Sequence, residues 1–168
     1  MEKVILVNEL DQELGVQEKL ATHLEGALHR AVSVFLFNDK KELLIQQRAF
    51  SKYHSGGLWS NTCCGHPRPG ESTLQAALRR LHEEMGIRAS LEKAFDFIYR
   101  TELDKELIEY EFDHVFVGKF EGVVHLNAEE VHAYRWISAA ELEKSFFEKP
   151  QEFTFWFKLA WQKVAQKL

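Results

Sequence analysis

The stretch that most constrains this chain is a rigid loop running straight into a strongly signalled helix. Asn61-Thr62-Cys63-Cys64-Gly65-His66-Pro67-Arg68-Pro69-Gly70 holds too much glycine and proline to be helical. Ser72 with Gln75 then forms a capping-box pattern. Leu74, Ala77, Leu78, Leu81 and Met85 follow at helical spacing, and Gly86 is a natural C-terminal stop. A chain written this way passes from a non-helical loop directly into an amphipathic helix.

Around this unit the pattern is mostly strand. Residues 4–7, 31–37, 43–48, 95–101, 108–120 and 134–137 read as strands. The turn at Asn38-Asp39-Lys40 makes 43–48 the expected hairpin partner of 31–37. Residues 17–28 read as a short helix and loop, and 49–60 as a loop with a Gly56-Gly57 pair. Ser138 with Glu141 caps another helix. Pro150 suits the first turn of a last helix, whose Phe153, Trp156, Phe157, Ala160, Trp161 and Val164 share one broad face. Strands interleaved with few helices predict an α+β (α/β/α sandwich) fold, a mixed sheet flanked by helices. No repeat or linker divides residues 1–168, so one domain is expected.

Composition narrows the function. The net charge of −5 and the lack of a Lys/Arg run argue against nucleic acid. The N-terminal apolar run is too short for a signal peptide or membrane span, which makes the cytoplasm the expected location. The adjacent Cys63 and Cys64 make a poor disulfide and match no zinc-finger spacing, so free thiols are expected.

Several groups could carry chemistry. Glu109 and Glu111 are two apart and share one face of a strand, which could equally be a solvated face. His23, His29 and His66 lie in or beside loops; imidazoles with carboxylates suit divalent metals from zinc to manganese. Cys64 sits in a tight polar turn beside His66, where a thiol can serve as acid or base. Cys63 better fits a small buried residue. Arg80 and Glu84, at i and i+4, could be a plain surface ion pair.

Gly65, Glu71, Arg79, Leu81, Glu83, Glu84, Gly86 and Ile87 together resemble a Nudix box. The departure is Arg80, which stands where that box carries a glutamate. In hydrolases of that superfamily the glutamates hold the metal that drives attack on a phosphoanhydride. A cation there suits holding a diphosphate rather than cleaving it. With Leu28-His29-Arg30-Ala31, Asn61 to Pro67 and Glu109-Tyr110-Glu111, the chain is similar to the type 1 isopentenyl-diphosphate isomerases from about Lys19 to Trp156.

That resemblance implies a full set of roles. Metal ligands fall on His23, His29, His66, Glu109 and Glu111, holding Mn2+, Zn2+ or Mg2+. The catalytic cysteine falls on Cys64, the catalytic glutamate on Glu111, and the assisting tyrosine on Tyr99. Lys19, Arg48, Lys52 and Arg80 fall on the diphosphate-binding cations, and Trp156 on the active-site tryptophan. A Mg2+ bridging to the diphosphate would use Glu84. The implied partner is the small molecule isopentenyl diphosphate or dimethylallyl diphosphate, with no nucleic acid or membrane, in a monomer or weak homodimer. The rival readings are a Nudix hydrolase of nucleoside diphosphate derivatives and a non-catalytic metal- or ligand-binding module.

Overall fold

A computed structural model describes residues 1–168. Its strands are β1 (Lys3–Val7), β2 (Glu13–Glu18), β3 (His29–Phe37), β4 (Leu43–Arg48), β5 (Trp59–Ser60), β6 (Cys63–Gly65), β7 (Leu91–Glu102), β8 (Ile108–Lys119) and β9 (Val131–Ile137). Its helices are α1 (Lys19–Glu25), α2 (Thr73–Met85), α3 (Ala139–Glu148) and α4 (Phe155–Ala165). The sheet is mixed: β3 pairs parallel with β8 and antiparallel with β6, and β7 and β8 form a long antiparallel hairpin.

β3 is the axis because it is apolar on both faces, as a strand covered on both sides must be. Val32, Val34 and Leu36 point toward α2, where they pack with Ala76, Ala77, Leu81 and Met85. Phe35, on the opposite face, joins Phe157, Ala160, Trp161 and Val164 of α4. β4 divides in the same way, with Leu44 toward α2 and Leu43 and Ile45 toward α4. Period-two alternation on these strands thus builds two cores and the expected sandwich.

Both capping boxes form, Ser72 with Gln75 and Ser138 with Glu141, and Gly86 ends α2 at φ 65°. Several local expectations are corrected. β4 touches β3 in register only at Phe37 and Leu43; its main partner is β9, from Leu43↔Ile137 to Arg48↔Val131. The turn itself forms, Asn38 N donating to the Glu42 carbonyl at 3.0 Å, but beyond Leu43 the strand runs alongside β9 instead. The loop 49–60 ends in β5, and the Gly/Pro-rich stretch contains β6, short strands that local composition does not signal. The segment expected as helix and loop begins inside β2, an edge strand whose Leu14 and Val16 are exposed. Pro150 starts a separate 3-10 turn, Pro150–Glu152, and α4 begins after Thr154. On α2 the inward face is Ala76, Ala77, Leu81, Glu84 and Met85, while Leu74 and Leu78 are exposed. No helix is long and apolar enough to cross a membrane.

Candidate active site

The site is assembled by sheet register. Tyr99 of β7 and His29 of β3 are the direct cross-strand neighbours of Glu111 on β8. Direct neighbours in a sheet point to the same face, so three groups far apart in sequence meet side by side. Tyr99 Oη donates to Glu111 Oε2 at 2.7 Å. His66 Nε2 lies 3.0 Å and His29 Nε2 3.4 Å from Glu111 Oε1. Glu109, two residues earlier on the same face, is equally buried.

The imidazoles are oriented from behind. His23 Nδ1 is 2.8 Å from the Lys19 carbonyl, and His29 Nδ1 is 2.9 Å from the Ala27 carbonyl. A carbonyl only accepts, so each Nδ1 carries the proton and each Nε2 presents a lone pair. Both Nε2 atoms and Glu109 Oε2 are buried without a hydrogen-bond partner. Ligand atoms of His23, His29, His66 and Glu111 lie within 4.8 Å of one another. Converging lone pairs and a carboxylate, with nothing positive among them, fit a divalent cation, and the carbonyl-anchored Nδ1 atoms are the support that metal-binding histidines commonly have.

The electrostatics agree. Burial pushes His66 down to about 4, against the pull of Glu111, so it is neutral at ordinary pH. Burial also lowers His23. Burial alone would raise Glu111, but its contacts with the imidazoles of the metal-free site, His66 Nε2 at 3.0 Å the nearest, hold it well below the usual carboxylate range. Glu109 goes the other way, raised well above its ordinary value by burial and by Glu111 beside it.

Cys64 stands on β6 directly opposite Ser33 of β3. Its thiol donates to Asn61 Oδ1 at 3.3 Å and lies 3.5 Å from Ser33 Oγ. Asn61 is itself fixed, donating to the Val34 and Cys63 carbonyls. Burial, with Asp113 nearby, pushes the Cys64 thiol up, so it keeps its proton. Cys63 faces the α2 core, as a small buried residue would.

Cys64, Tyr99, Glu109 and Glu111 line one cavity with His66, Glu84 and Trp156, and with the four cations Lys19, Arg48, Lys52 and Arg80. Acids hold the cations in place: Lys19 pairs with Glu2 at 3.2 Å, and Glu130 bridges Lys52 at 2.5 Å and Arg80 at 3.3 Å. The Arg48 guanidinium lies over the Trp156 ring, 5.3 Å from its centroid. Arg80 pairs with Glu83 at 2.8 Å and with Glu84, whose other oxygen accepts from Gln46 Nε2 at 2.6 Å. The Arg80–Glu84 pair is therefore largely buried in the cavity wall, not on the surface. Each Glu84 oxygen retains a further lone pair for a cation. Glu71 instead takes a two-pronged contact from Arg79, at 2.8 and 2.9 Å, which staples the loop to α2. Gly65 is required by close approach, since a Cβ there would run into the Arg80 side chain.

His23 and His29 are fully buried behind the cavity wall, and every other expected site residue lines the cavity itself. Glu2, Tyr53, His54 and Glu130 also line it and were missed by sequence reasoning. Of these, only His54 carried a usable signal, as a histidine two residues after Lys52 in a loop already expected to face the site.

A NUDIX domain family model matches residues 27–157. Curated relatives include an isopentenyl-diphosphate Delta-isomerase of Pectobacterium atrosepticum, 50% identical over 96% of this chain and 90% of that protein. Another, of Photobacterium profundum, is 50% identical over 99% and 96%. Among solved structures, a Deinococcus radiodurans protein superposes with TM-score 0.74 at 22% identity, covering 88% of this chain and 90% of that one. A MutT protein of Methanosarcina mazei gives TM-score 0.67 at 22% identity, covering 83% and 94%. These two structures speak to the fold alone. With the domain match and half-identical relatives spanning almost the whole chain, the protein belongs to the Nudix superfamily and, within it, to the isopentenyl-diphosphate Delta-isomerase family.

Proposed function

We propose that this enzyme converts isopentenyl diphosphate to dimethylallyl diphosphate by protonation and deprotonation through a tertiary carbocation. The observation that carries this reading is a thiol and a Tyr99-supported Glu111 carboxylate in one cavity with four cations.

The alkene is a weak base, so the proton must be delivered by a group already in contact with it. One of the Cys64/Glu111 pair gives a proton to the terminal carbon. The other takes one from the carbon next to the diphosphate-bearing carbon, on the opposite face, and the double bond moves by one position. The two groups exchange roles when the reaction runs backward. Tyr99 supports the charge on Glu111 through its hydrogen bond. Trp156 offers a π face to the cation, worth roughly 2 kcal/mol when desolvated. Tyr53, Tyr99 and Trp156, the aromatic part of the lining, would keep water from trapping the cation as an alcohol.

His23, His29, His66, Glu109 and Glu111 would hold a divalent cation, Mn2+, Zn2+ or Mg2+, that orients Glu111 and tunes its acidity. Mg2+ at Glu84 would offset diphosphate charge. Lys19, Arg48, Lys52 and Arg80 bind the diphosphate without attacking it, and their binding energy positions the alkene. Hydrolysis fits less well, because Arg80 occupies the box glutamate's place and pairs with Glu84.

Product analysis tests this. Incubation with isopentenyl diphosphate and Mg2+ is expected to yield acid-labile allylic diphosphate and no free phosphate. The Cys64→Ala variant is expected to lose nearly all turnover while still binding substrate. Free phosphate, or near-normal turnover by the variant, overturns the assignment.

A further inference from the structure

His54 has no part in the roles above, yet it lines the cavity and is only 5% exposed. It sits in a fixed loop. Its carbonyl accepts from Arg48 Nη2 at 3.2 Å, and the Gly57 amide donates to the Arg48 carbonyl at 3.0 Å. A Cβ on Gly56 would strike the Phe50 carbonyl, so the loop closes tightly only with glycine there. The imidazole is held by Ser55, whose Oγ lies 3.0 Å from Nδ1, and packs against Tyr53 and Trp156 at centroid distances of 4.5 and 6.0 Å. When Nδ1–H donates to Ser55 Oγ, Nε2 is the nitrogen with a lone pair for a ligand.

A ligand atom of His54, one of His23 and one of Glu109 lie within 4.8 Å of one another. His23 also belongs to the group formed with His29, His66 and Glu111. Because His23 Nδ1 is committed to the Lys19 carbonyl, the residue has a single lone pair to give, on Nε2. One lone pair serves one ion. The two overlapping groups therefore describe one centre rather than two. Glu109 Oε2 and His23 Nε2 are both buried and unpartnered. Donors about 2.1 Å from a shared ion span at most about 4.2 Å, so closing either group takes movements below about an ångström, and His23 is the donor that joins the two.

We infer that His54 is a further ligand of this metal centre, which makes it a site of four imidazoles and two carboxylates. The inference rests on the metal centre of the proposed function and adds a donor outside the set drawn from family resemblance. With six protein donors the ion would be held away from substrate and would act on the reaction through Glu111. Four imidazoles also tilt the site toward zinc, iron or cobalt and away from magnesium, which prefers oxygen.

Zinc X-ray absorption on the metal-loaded protein counts coordinated imidazoles, and chelator competition gives the zinc affinity. Neither readout depends on turnover, so a failure of the isomerase assignment would leave them unaffected. The expected result is four imidazoles in the native protein, three in His54→Gln, and zinc binding clearly weakened in the variant, with Mg2+ binding little changed. Three imidazoles in the native protein overturn the inference whatever the variant does. So does a native protein that takes up no zinc, or a variant that keeps both the native count and the native affinity.

Discussion

Tyr99 and Glu111 face each other across the β7–β8 ladder, and the phenol donates to the carboxylate at 2.7 Å. A hydrogen bond to a charged group contributes about 1.5–3 kcal/mol, or roughly 10- to 100-fold in rate if it is strongest in the transition state. Tyr99→Phe is expected to lower kcat by that factor and leave KM nearly unchanged. Steady-state kinetics decide: a KM effect with normal kcat would make Tyr99 a substrate-binding group instead.

Metal uptake is expected to release a proton. Burial and the neighbouring Glu111 raise Glu109 well above its usual range, so in the metal-free protein it is protonated where an ordinary carboxyl would be ionised. An incoming cation must displace that proton, and the apparent affinity should rise roughly tenfold per pH unit until Glu109 ionises unaided. Calorimetry in buffers of different ionisation heat measures the proton count. Glu109→Gln should remove the dependence, and a pH-independent affinity in the native protein would contradict it.

Gly65→Ala places a methyl group where the Arg80 side chain now lies. Arg80 would shift away from the cavity, because its stem is flexible and the β6 backbone is paired. The expected outcome is a several-fold rise in KM for the diphosphate substrate with a smaller change in kcat. An unchanged KM would mean that Arg80 does not hold the diphosphate.

Asp113 is buried beneath Cys64, with Oδ2 accepting from Ser33 Oγ at 2.7 Å. Burial, reinforced by Glu111, pushes its carboxyl from 3.8 up to about 8. The folded state thus holds a proton that the unfolded chain gives up. The stabilising effect is complete below the unfolded value and is lost as pH rises through the folded one. At about 1.4 kcal/mol per unit, the loss in metal-free protein between about pH 4 and pH 8 amounts to several kcal/mol. Asp113→Asn, which cannot ionise, should flatten the denaturation midpoint across that window. Parallel curves for native and variant protein would contradict this.

Much of this architecture was legible because it is local. The α2 capping box, the loop before it and the strand character of β3 and β8 are read from neighbouring residues. The pairing of β4 with β9 was not, because it joins segments far apart in sequence. The site divides the same way. Glu109 and Glu111 declare a shared face by their spacing, but only the parallel register of β3 on β8 brings His29 beside Glu111. Glu2 and Glu130 carry no local mark at all. They enter the cavity because Lys19, Lys52 and Arg80 draw them there.

The central claim is proton transfer to and from carbon at an intact diphosphate. A proton NMR time course of the protein with isopentenyl diphosphate and Mg2+ in deuterated water reads this directly. Growth of the dimethylallyl signal, with deuterium entering carbon-bound positions, is the predicted result. An unchanged alkene with released phosphate, or no change with Mn2+, Zn2+ and Mg2+ each supplied, would contradict it.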